Sequence, residues 1–399
     1  MRSMLLVGAA LAAAGPAYAQ QIKPLAEARA RYEHVDQDGL AEKADAVTVR
    51  VRAGVQATTG PWSALVEAQG TLAVGDDYYD GLHGAATRPL VSDPENVALY
   101  RAQLQYKSKA LVVTAGRQRI ALDDERFVGS SPFRQNAQTF DAVRAEITPI
   151  KGLRADVTYA WSVRTIWGVE GNGARQTAVG GDNVFATLGY ATPIGTITGF
   201  AFLVDQDEAA VQSYRLSNQS YGARLAGSQP LSRTIKLSYA GSYARQSDYH
   251  RNPNRYSASY YQLDAGLDVA PIRLGATYEV LGASDGRAFT SFQFPTGTAF
   301  RFQGNAGKFS PNPPDGVRDL LGTAGFVRPR IGPFQAFTLQ AQYHHFDSDR
   351  LVRHYGDEID LLASGKLGRT TLSLRYADYH ADTFATDTRK FWLQLDWAL

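Results

Sequence analysis

Apolar and polar residues alternate along most of this chain with a period of two, the period of a β-strand. Between residues 47 and 56, four valines take one set of alternate positions, whereas Thr48, Arg50, Arg52 and Gln56 take the other. The same alternation recurs at 153–159, 261–269, 272–280 and 391–397. We find no sustained helical period after the first twenty residues, so the pattern predicts an all-β protein.

About eighteen such segments follow one another. We expect strands at 27–36, 46–57, 62–73, 97–107, 110–120, 139–148, 153–164, 182–191, 195–205, 217–226, 232–246, 258–269, 272–283, 317–328, 333–346, 356–365, 369–380 and 389–399. The connections between them alternate in length. Short turns occur at 58–61, 108–109, 149–152, 192–194, 227–230, 270–271, 329–332 and 366–368, and the longest loops at 74–96, 121–138, 165–181 and 284–316.

An even number of strands with tight turns at one end and long loops at the other is typical of bacterial outer-membrane barrels. Charged side chains at alternate positions cannot face lipid, because Arg or Lys at the bilayer midplane costs roughly 2–4 kcal/mol. We therefore predict a single transmembrane antiparallel β-barrel of about 18 strands, with short periplasmic turns and long extracellular loops, in the bacterial outer membrane. A soluble β-sandwich or propeller would leave the apolar faces uncovered, and no blade-length repeat is present.

Aromatic residues near the predicted strand ends fit the interfacial girdles of such barrels. They are Tyr100, Tyr106, Tyr159, Trp161, Tyr190, Tyr239, Tyr278, Tyr343, Tyr376 and Trp397.

The first nineteen residues differ from the rest of the chain. A basic start precedes the apolar run 4–15, and the A-x-A sequence Ala17-Tyr18-Ala19 follows the run. The run is shorter than the ~20 residues of a spanning helix. It predicts a secretory signal peptide, residues 1–19, cleaved after Ala19. Residues 20–399 would then form the barrel.

Charge and cysteine content exclude several classes of function. The chain of 399 residues carries 41 Lys+Arg and 39 Asp+Glu, a formal net charge of +2, and it has no cysteine. The near-neutral balance argues against a nucleic-acid partner. The absence of cysteine excludes disulfides, thiolate metal sites and a cysteine nucleophile.

Motifs for catalysis or metal binding are weak. The segment 282–286 matches G-x-S-x-G, but that nucleophile elbow requires a following helix, and none is predicted. His344 and His345 occupy opposite faces of one strand and cannot share a metal. The acidic clusters 36–38, 76–80 and 205–208 could bind Ca²⁺, although solvated loops are the favoured interpretation. We therefore predict no enzyme, no cofactor and no metal. A barrel enzyme or an adhesin that uses the long loops stays open as an alternative.

The alternation also predicts which charges point into the lumen. Inward bases are Arg50, Arg52, Arg101, Lys107, Arg144, Arg154, Arg164, Lys236, Arg273 and Arg375. Inward acids are Glu67, Glu146, Asp156, Asp264, Asp268, Glu279, Glu358 and Asp360. Arg126 and Arg134 lie in a loop close in sequence to Arg117 and Arg119. Rings of basic side chains lower the barrier for anions, so the set predicts a passage for acidic solutes.

Several stretches resemble the alginate export family of outer-membrane barrels. They include Gly-Arg-Gln at 116–118, Asp-x-Arg-Phe-Val-Gly at 124–129 and Arg-Gln-Asn-x-Gln-Thr-Phe-Asp at 134–141. Others are Tyr-Glu-x-Leu-Gly at 278–282, Phe-Gln-Gly at 302–304, Tyr-Ala-Asp-Tyr at 376–379 and Phe-Ala-Thr-Asp-Thr-x-Lys-x-Trp-Leu-Gln at 384–394. Phe300-Arg301, the segment 305–307 and the terminal Leu399 depart from the family pattern.

The resemblance implies an eighteen-stranded barrel with an electropositive pore for an anionic polysaccharide or a related acidic solute. The candidate substrate-binding, pore-lining residues are Arg50, Arg52, Arg101, Arg117, Arg126, Arg134, Arg144, Arg154, Lys236, Arg273, Arg375, Asp141, Asp156 and Glu279. Inward acids nearly balance the bases, so a general porin of low selectivity stays open. We expect outer-membrane lipid, lipopolysaccharide and the barrel-assembly machinery as further partners. The loop 284–316, rich in Phe, Gly and Pro, is long enough to fold into the lumen and narrow it.

Overall fold

The structure, a computed structural model, describes residues 20–75 and 77–399. The predicted signal peptide, residues 1–19, lies outside the described residues, as does Asp76 of one acidic cluster. Cleavage after Ala19 stays a prediction, and so does the favoured interpretation of that cluster as a solvated loop.

Eighteen β-strands make up the fold. Their bounds are β1 Gln21–Gln37, β2 Ala44–Thr59, β3 Trp62–Ala73, β4 Asn96–Lys107, β5 Leu111–Gln118, β6 Thr139–Ile150, β7 Leu153–Arg164, β8 Ala178–Thr192, β9 Gly195–Val204, β10 Asn218–Pro230, β11 Ile235–Asp248, β12 Ser257–Val269, β13 Ile272–Leu281, β14 Val317–Ile331, β15 Phe334–Asp347, β16 His354–Leu367, β17 Thr370–Ala381 and β18 Thr388–Ala398. Each strand predicted from the alternation overlaps one of these. Within the described ranges, no helix has the length and apolar character needed to cross a membrane.

The sheet closes on itself. Every strand pairs antiparallel with its neighbours in the chain, and β1 pairs with both β2 and β18. Among the described residues, closure leaves no edge strand, so no strand of the barrel presents a full row of open backbone groups to the lipid. The predicted fold class, a closed antiparallel barrel of eighteen strands, is confirmed.

The two faces of each strand differ as the alternation predicted. On β2, Val47, Val51 and Val55 are exposed on the outside, whereas Arg50 and Arg52 are buried on the inside. An exterior of exposed aliphatic side chains, with a polar interior, is the arrangement of a barrel that sits in lipid. The fold and this exterior place the protein in an outer membrane.

One residue of the predicted aromatic girdle points the other way. Tyr100 is buried inside the barrel, and the guanidinium of Arg52 lies 3.7 Å from its ring centroid. The cause is a β-bulge, because the pairing of β3 with β4 skips Tyr100 between Leu99 and Arg101. A bulge shifts the inside–outside alternation by one residue, so the prediction for Tyr100 was wrong.

Candidate functional site in the barrel lumen

Two long loops fold into the barrel. The first inner loop, residues 119–138, connects β5 to β6. It crosses the lumen, because Asp124 pairs with Arg224 of β10 at 3.2 Å and Gln135 donates to Thr48 Oγ1 of β2 at 2.8 Å. β2 and β10 lie on nearly opposite sides of the closed sheet.

The second inner loop, residues 282–316, connects β13 to β14. The backbone N–H groups of Asn305 and Ala306 donate to Asp360 Oδ2 and Glu358 Oε1 of β16, at 3.1 and 2.7 Å. The loop therefore lies inside the barrel, where the sequence led us to expect it. The G-x-S-x-G match opens this loop, and among the described residues no helix follows it.

The two inner loops are joined to each other by backbone hydrogen bonds. Gly129 N–H donates to Thr296 O, and Thr298 N–H donates to Glu125 O, each at 2.9 Å. The side chain of Phe127 is held among aromatic rings of the wall and of the second loop: Phe200, Phe202, Tyr260 and Phe292. The loops thus form one partition across the lumen.

Arg126 anchors this partition to the wall. Its Nε and Nη2 donate to the two carboxylate oxygens of Glu279 on β13, at 2.6 and 3.1 Å, and Tyr260 O–H donates to the same carboxylate at 2.8 Å. Burial alone would lower the pKa of Arg126, but the Glu279 carboxylate raises the pKa above its usual value. The guanidinium stays charged, and these two predicted pore residues bind each other.

Carboxylates dominate the inner face from β12 to β16, which we call the acidic wall. It carries Asp264, Asp268, Glu279, Asp319, Glu358 and Asp360. Most of these acids already have polar partners. His344 contacts Asp319 at 2.9 Å, Thr277 O–H donates to Asp264 at 2.6 Å, and the inner loops bind the three acids described above. The carboxylates of the acidic wall therefore mainly bind other groups of the protein.

Cations dominate the neighbouring inner face of β17, β18, β1 and β2, which we call the basic wall. It carries Arg375, Lys390, Arg29, Arg31, Arg50 and Arg52. The carboxylates that serve it are fewer. Glu27 is shared by Arg50 and Arg52, at 2.9 and 2.8 Å, Asp396 pairs with Arg29 at 2.6 Å, and Asp93 pairs with Arg31 at 2.8 Å. Glu33 is buried on the same inner face.

Several donors of the basic wall have no acceptor among the residues that the structure describes. They are Nε and Nη1 of Arg50, Nη2 of Arg52 and, on the first inner loop, Nη1 of Arg134. Arg375 makes no hydrogen bond or ion pair in the described part of the chain. Its guanidinium lies 5.8 and 5.6 Å from the stacked rings of Phe133 and Phe300, one from each inner loop. The donor atoms of Arg50, Arg52 and Arg134 are buried inside the barrel.

The other inward candidates are on the inner face but mostly neutralised. Arg101 pairs with Glu67 at 2.7 Å, Arg144 with Asp156 at 2.5 Å, and Arg273 with Asp268 at 3.0 Å, while Arg154 pairs with Glu146. Lys236 is exposed near the periplasmic end.

Arg117 and Asp141 are not in the lumen, so their prediction as pore-lining residues was wrong. They are cross-strand partners on the outer face shared with Ala115 and Val143, and Arg117 donates two hydrogen bonds to Asp141, at 2.7 and 2.9 Å. Arg164 lies on this face too, because a bulge at Trp161 shifts the alternation of β7.

Sequence reasoning missed three cations of the basic wall. Arg29 and Arg31 alternate with alanine and tyrosine in a strand that was correctly predicted, so their inward direction could have been read from the pattern. Lys390 was harder to assign, because its inner-face neighbour Trp392 is apolar. Trp392 is inside because it packs against Phe133 and Phe300 of the inner loops.

Cavities lie on both sides of the partition. A cavity of about 500 Å³ opens toward the periplasmic turns, between residues 121–123 and the inner face of β6 to β9, with Arg144 and Arg154 in its lining. Another, of about 300 Å³, is lined by both inner loops and by extracellular loop residues such as Trp167 and Val211. The partition therefore separates two vestibules.

Comparisons with known proteins agree with this fold. The model of the alginate export family matches residues 24–167. The predicted resemblance is confirmed over that range, which includes the first inner loop, whereas the stretches from 278 onward lie outside it. No curated protein matches the chain at a significant level.

Solved structures resemble the whole barrel. Pseudomonas aeruginosa OpdQ has a TM-score of 0.67 at 14% identity, over 95% of this chain and 98% of that one. Acinetobacter baumannii OccAB4 has a TM-score of 0.71 at 12% identity, over 95% and 98%. The outer-membrane protein OpdK of P. aeruginosa has a TM-score of 0.68 at 12% identity, over 94% and 98%. At these identities the likeness shows the fold, that of an outer-membrane barrel.

Proposed function

We propose that this protein is a passive outer-membrane channel that passes small acidic solutes or anionic oligosaccharides along its basic wall. The fold supports a channel, because a closed barrel with a polar interior and a vestibule on each side of a loop partition is suited to diffusion across the membrane. The distribution of charged side chains inside the barrel favours the passage of anions over cations.

The observation that carries the proposal is the separation of charge inside the barrel. Acids of the acidic wall are engaged by Arg126, His344 and the backbone of the second inner loop, and Glu358 Oε2 and Asp360 Oδ1 are the oxygens of these two acids without a donor in the described part of the chain. Guanidinium donors of Arg50 and Arg52 on the basic wall, and of Arg134 on the first inner loop, have no acceptor among the described residues. Guanidinium groups bind carboxylates in bidentate geometry, so an acidic solute is the class of ligand that these donors suit. The likeness to the alginate export family over residues 24–167 supports the same class.

Ion selectivity tests the proposal directly. The wild-type barrel, reconstituted in a planar bilayer under a KCl gradient, should give a reversal potential of an anion-selective channel. Replacing Arg50→Gln together with Arg375→Gln should lower that selectivity. The matched control is Arg154→Gln with Arg273→Gln, because these two cations are paired with acids near the periplasmic turns, and selectivity should change little. A cation-selective wild type, or equal effects of both double variants, would contradict the proposal.

A solute assay separates anion preference from the general porin. Liposomes containing the barrel should swell faster in a uronic-acid disaccharide than in a neutral disaccharide of similar size. Equal rates would favour a channel of low selectivity, since size alone would then govern permeation. Block of conductance by a uronic-acid polymer, lost in Arg50→Gln with Arg375→Gln, would place the solute at the basic wall.

A further inference from the structure

Two histidines and two aspartates meet on the outer face of the barrel, where β15 and β16 reach their extracellular ends. We call His345, Asp347, His354 and Asp357 the rim cluster. The register of the two strands sets His345 opposite Asp357 and Asp347 opposite His354. A bulge between these pairs leaves Tyr355 unpaired, and it brings His354 onto the outer face beside the other three side chains.

Asp357 contacts both imidazoles. Its Oδ1 lies 2.8 Å from His345 Nδ1, and its Oδ2 lies 3.3 Å from His354 Nε2. Tyr343 O–H donates to the same carboxylate at 2.9 Å. A ring nitrogen that donates to Asp357 leaves the other nitrogen of the same ring available as a metal ligand. These other nitrogens are His345 Nε2 and His354 Nδ1.

Both of these nitrogens face Asp347. His345 Nε2 lies 3.6 Å from Asp347 Oδ2, and His354 Nδ1 lies 3.3 Å from Asp347 Oδ1. The two ring nitrogens and the carboxylate therefore converge as three possible ligands of one cation. One ligand atom from each of these three residues falls within 4.8 Å of the others.

We propose that the rim cluster binds one divalent transition-metal ion of the Zn²⁺ type, with His345, His354 and Asp347 as ligands. In a tetrahedral site, metal–ligand bonds of about 2.0–2.1 Å place the ligand atoms about 3.3–3.4 Å apart, close to the 3.6 and 3.3 Å that separate the two ring nitrogens from Asp347. Imidazole ligands favour such ions over Ca²⁺ and Mg²⁺, which prefer oxygen ligands. Asp357 is a positioning residue, because a carboxylate behind a metal-bound histidine orients the ring.

The charges around the cluster favour a cation. Within the described ranges, the ion pairs of Asp347 and Asp357 are formed with His345 and His354 alone, and neither carboxylate has a lysine or arginine partner. The four side chains are between about a quarter and two-fifths exposed, so an ion can reach them from the extracellular side. Three protein ligands leave a coordination position for water or another oxygen.

Metal titration of the untagged barrel in detergent tests the proposal. Isothermal calorimetry with Zn²⁺ at pH 7.5 should show one saturable equivalent, and Co²⁺ should give a visible absorption band of nitrogen and oxygen ligation. His345→Gln and Asp347→Asn should abolish both signals. Asp357→Asn, which keeps all three ligands, should weaken Zn²⁺ affinity by about 10–100-fold. The control His250→Gln removes another half-exposed histidine with an aspartate partner and should bind Zn²⁺ as the wild type does.

Two results would overturn the site: a wild-type barrel without saturable Zn²⁺ binding, or a His345→Gln barrel that binds as tightly as the wild type. Millimolar Ca²⁺ should not compete, and displacement of Zn²⁺ by Ca²⁺ would contradict the assigned ligands. Circular dichroism verifies that each variant is folded. If His345→Gln does not fold, His354→Gln at the start of β16 gives the same test. The channel proposal does not depend on this outcome, because the cluster lies outside the lumen.

Discussion

Arg126 of the first inner loop and Glu279 of β13 form a two-point ion pair inside the barrel, with donor–acceptor distances of 2.6 and 3.1 Å. The side chains are 1% and 3% exposed. Glu279 lies three residues before the second inner loop begins. The pair therefore connects the first inner loop to β13, the strand that leads into the second inner loop. The pair attaches the partition to the wall.

Removing the charge of Glu279 should release the partition. Breaking a buried ion pair by deleting one partner costs about 3–5 kcal/mol, because the remaining charge is left without compensation. Glu279→Gln should therefore lower the thermal stability of the barrel in detergent and raise single-channel conductance. The control Glu146→Gln removes the partner of Arg154, whose side chain is 63% exposed, and should cost at most about 1 kcal/mol. Equal losses in the two variants would contradict this role.

Shortening the second inner loop should widen the lumen. Deletion of residues 296–314 removes the Phe300 ring stacked on Phe133 and the backbone donors to Glu358 and Asp360. Single-channel conductance should rise, because less of the lumen is filled. Deleting the exposed turn 232–234 on the periplasmic side serves as the control, and its conductance should match the wild type. An unchanged conductance after the 296–314 deletion would show that the loop does not limit the pore.

Selectivity should depend on pH through Lys308. Burial lowers the pKa of this second-loop lysine to about 8, with Lys390 adding to the effect and Glu358 and Asp387 opposing it. The ammonium is charged at pH 7 and loses its proton as the pH rises through 8, so anion selectivity should fall between pH 7 and 9. The unfolded chain binds more protons than the folded barrel between pH 8 and the ordinary lysine pKa, so this group makes stability rise with pH over that window.

Reversal potentials recorded from pH 6.5 to 9.5 check this prediction. Lys308→Met should remove the step near pH 8, whereas Lys43→Met, which removes an exposed lysine paired with Asp36, should keep it. A step that persists in Lys308→Met would assign the titration to another group.

Arg117 should be irrelevant to permeation. Its guanidinium is bound to Asp141 on the outer face, so Arg117→Gln should leave the reversal potential unchanged, while Arg50→Gln on the basic wall shifts it. The same bilayer recordings at one salt gradient compare the two variants. Similar shifts of the reversal potential in both variants would contradict this prediction, because Arg117 would then affect permeation from the outer face.

The alternation of residues along each segment was enough to predict the class of fold and the inward side chains such as Arg50, Arg52, Arg144 and Arg375. This succeeds because the period of two is a local property: each strand carries its own lipid face and lumen face. It failed at Tyr100 and Arg164, where a bulge adds one residue and exchanges the faces. A bulge depends on how two strands pair with each other. The sequence of one strand alone does not determine that pairing.

By itself, then, the sequence determined a closed barrel of about eighteen strands and most of the charges that its interior must contain. Only the tertiary structure decided what those charges do. It joined Arg126 to Glu279 across 153 residues and set His345 beside His354, and it left donors of Arg50 and Arg134 without acceptors in the ranges that the structure describes. These contacts depend on the register of the strands and on the positions of the two inner loops. The register and the loop positions are set by packing between residues that are far apart in the chain.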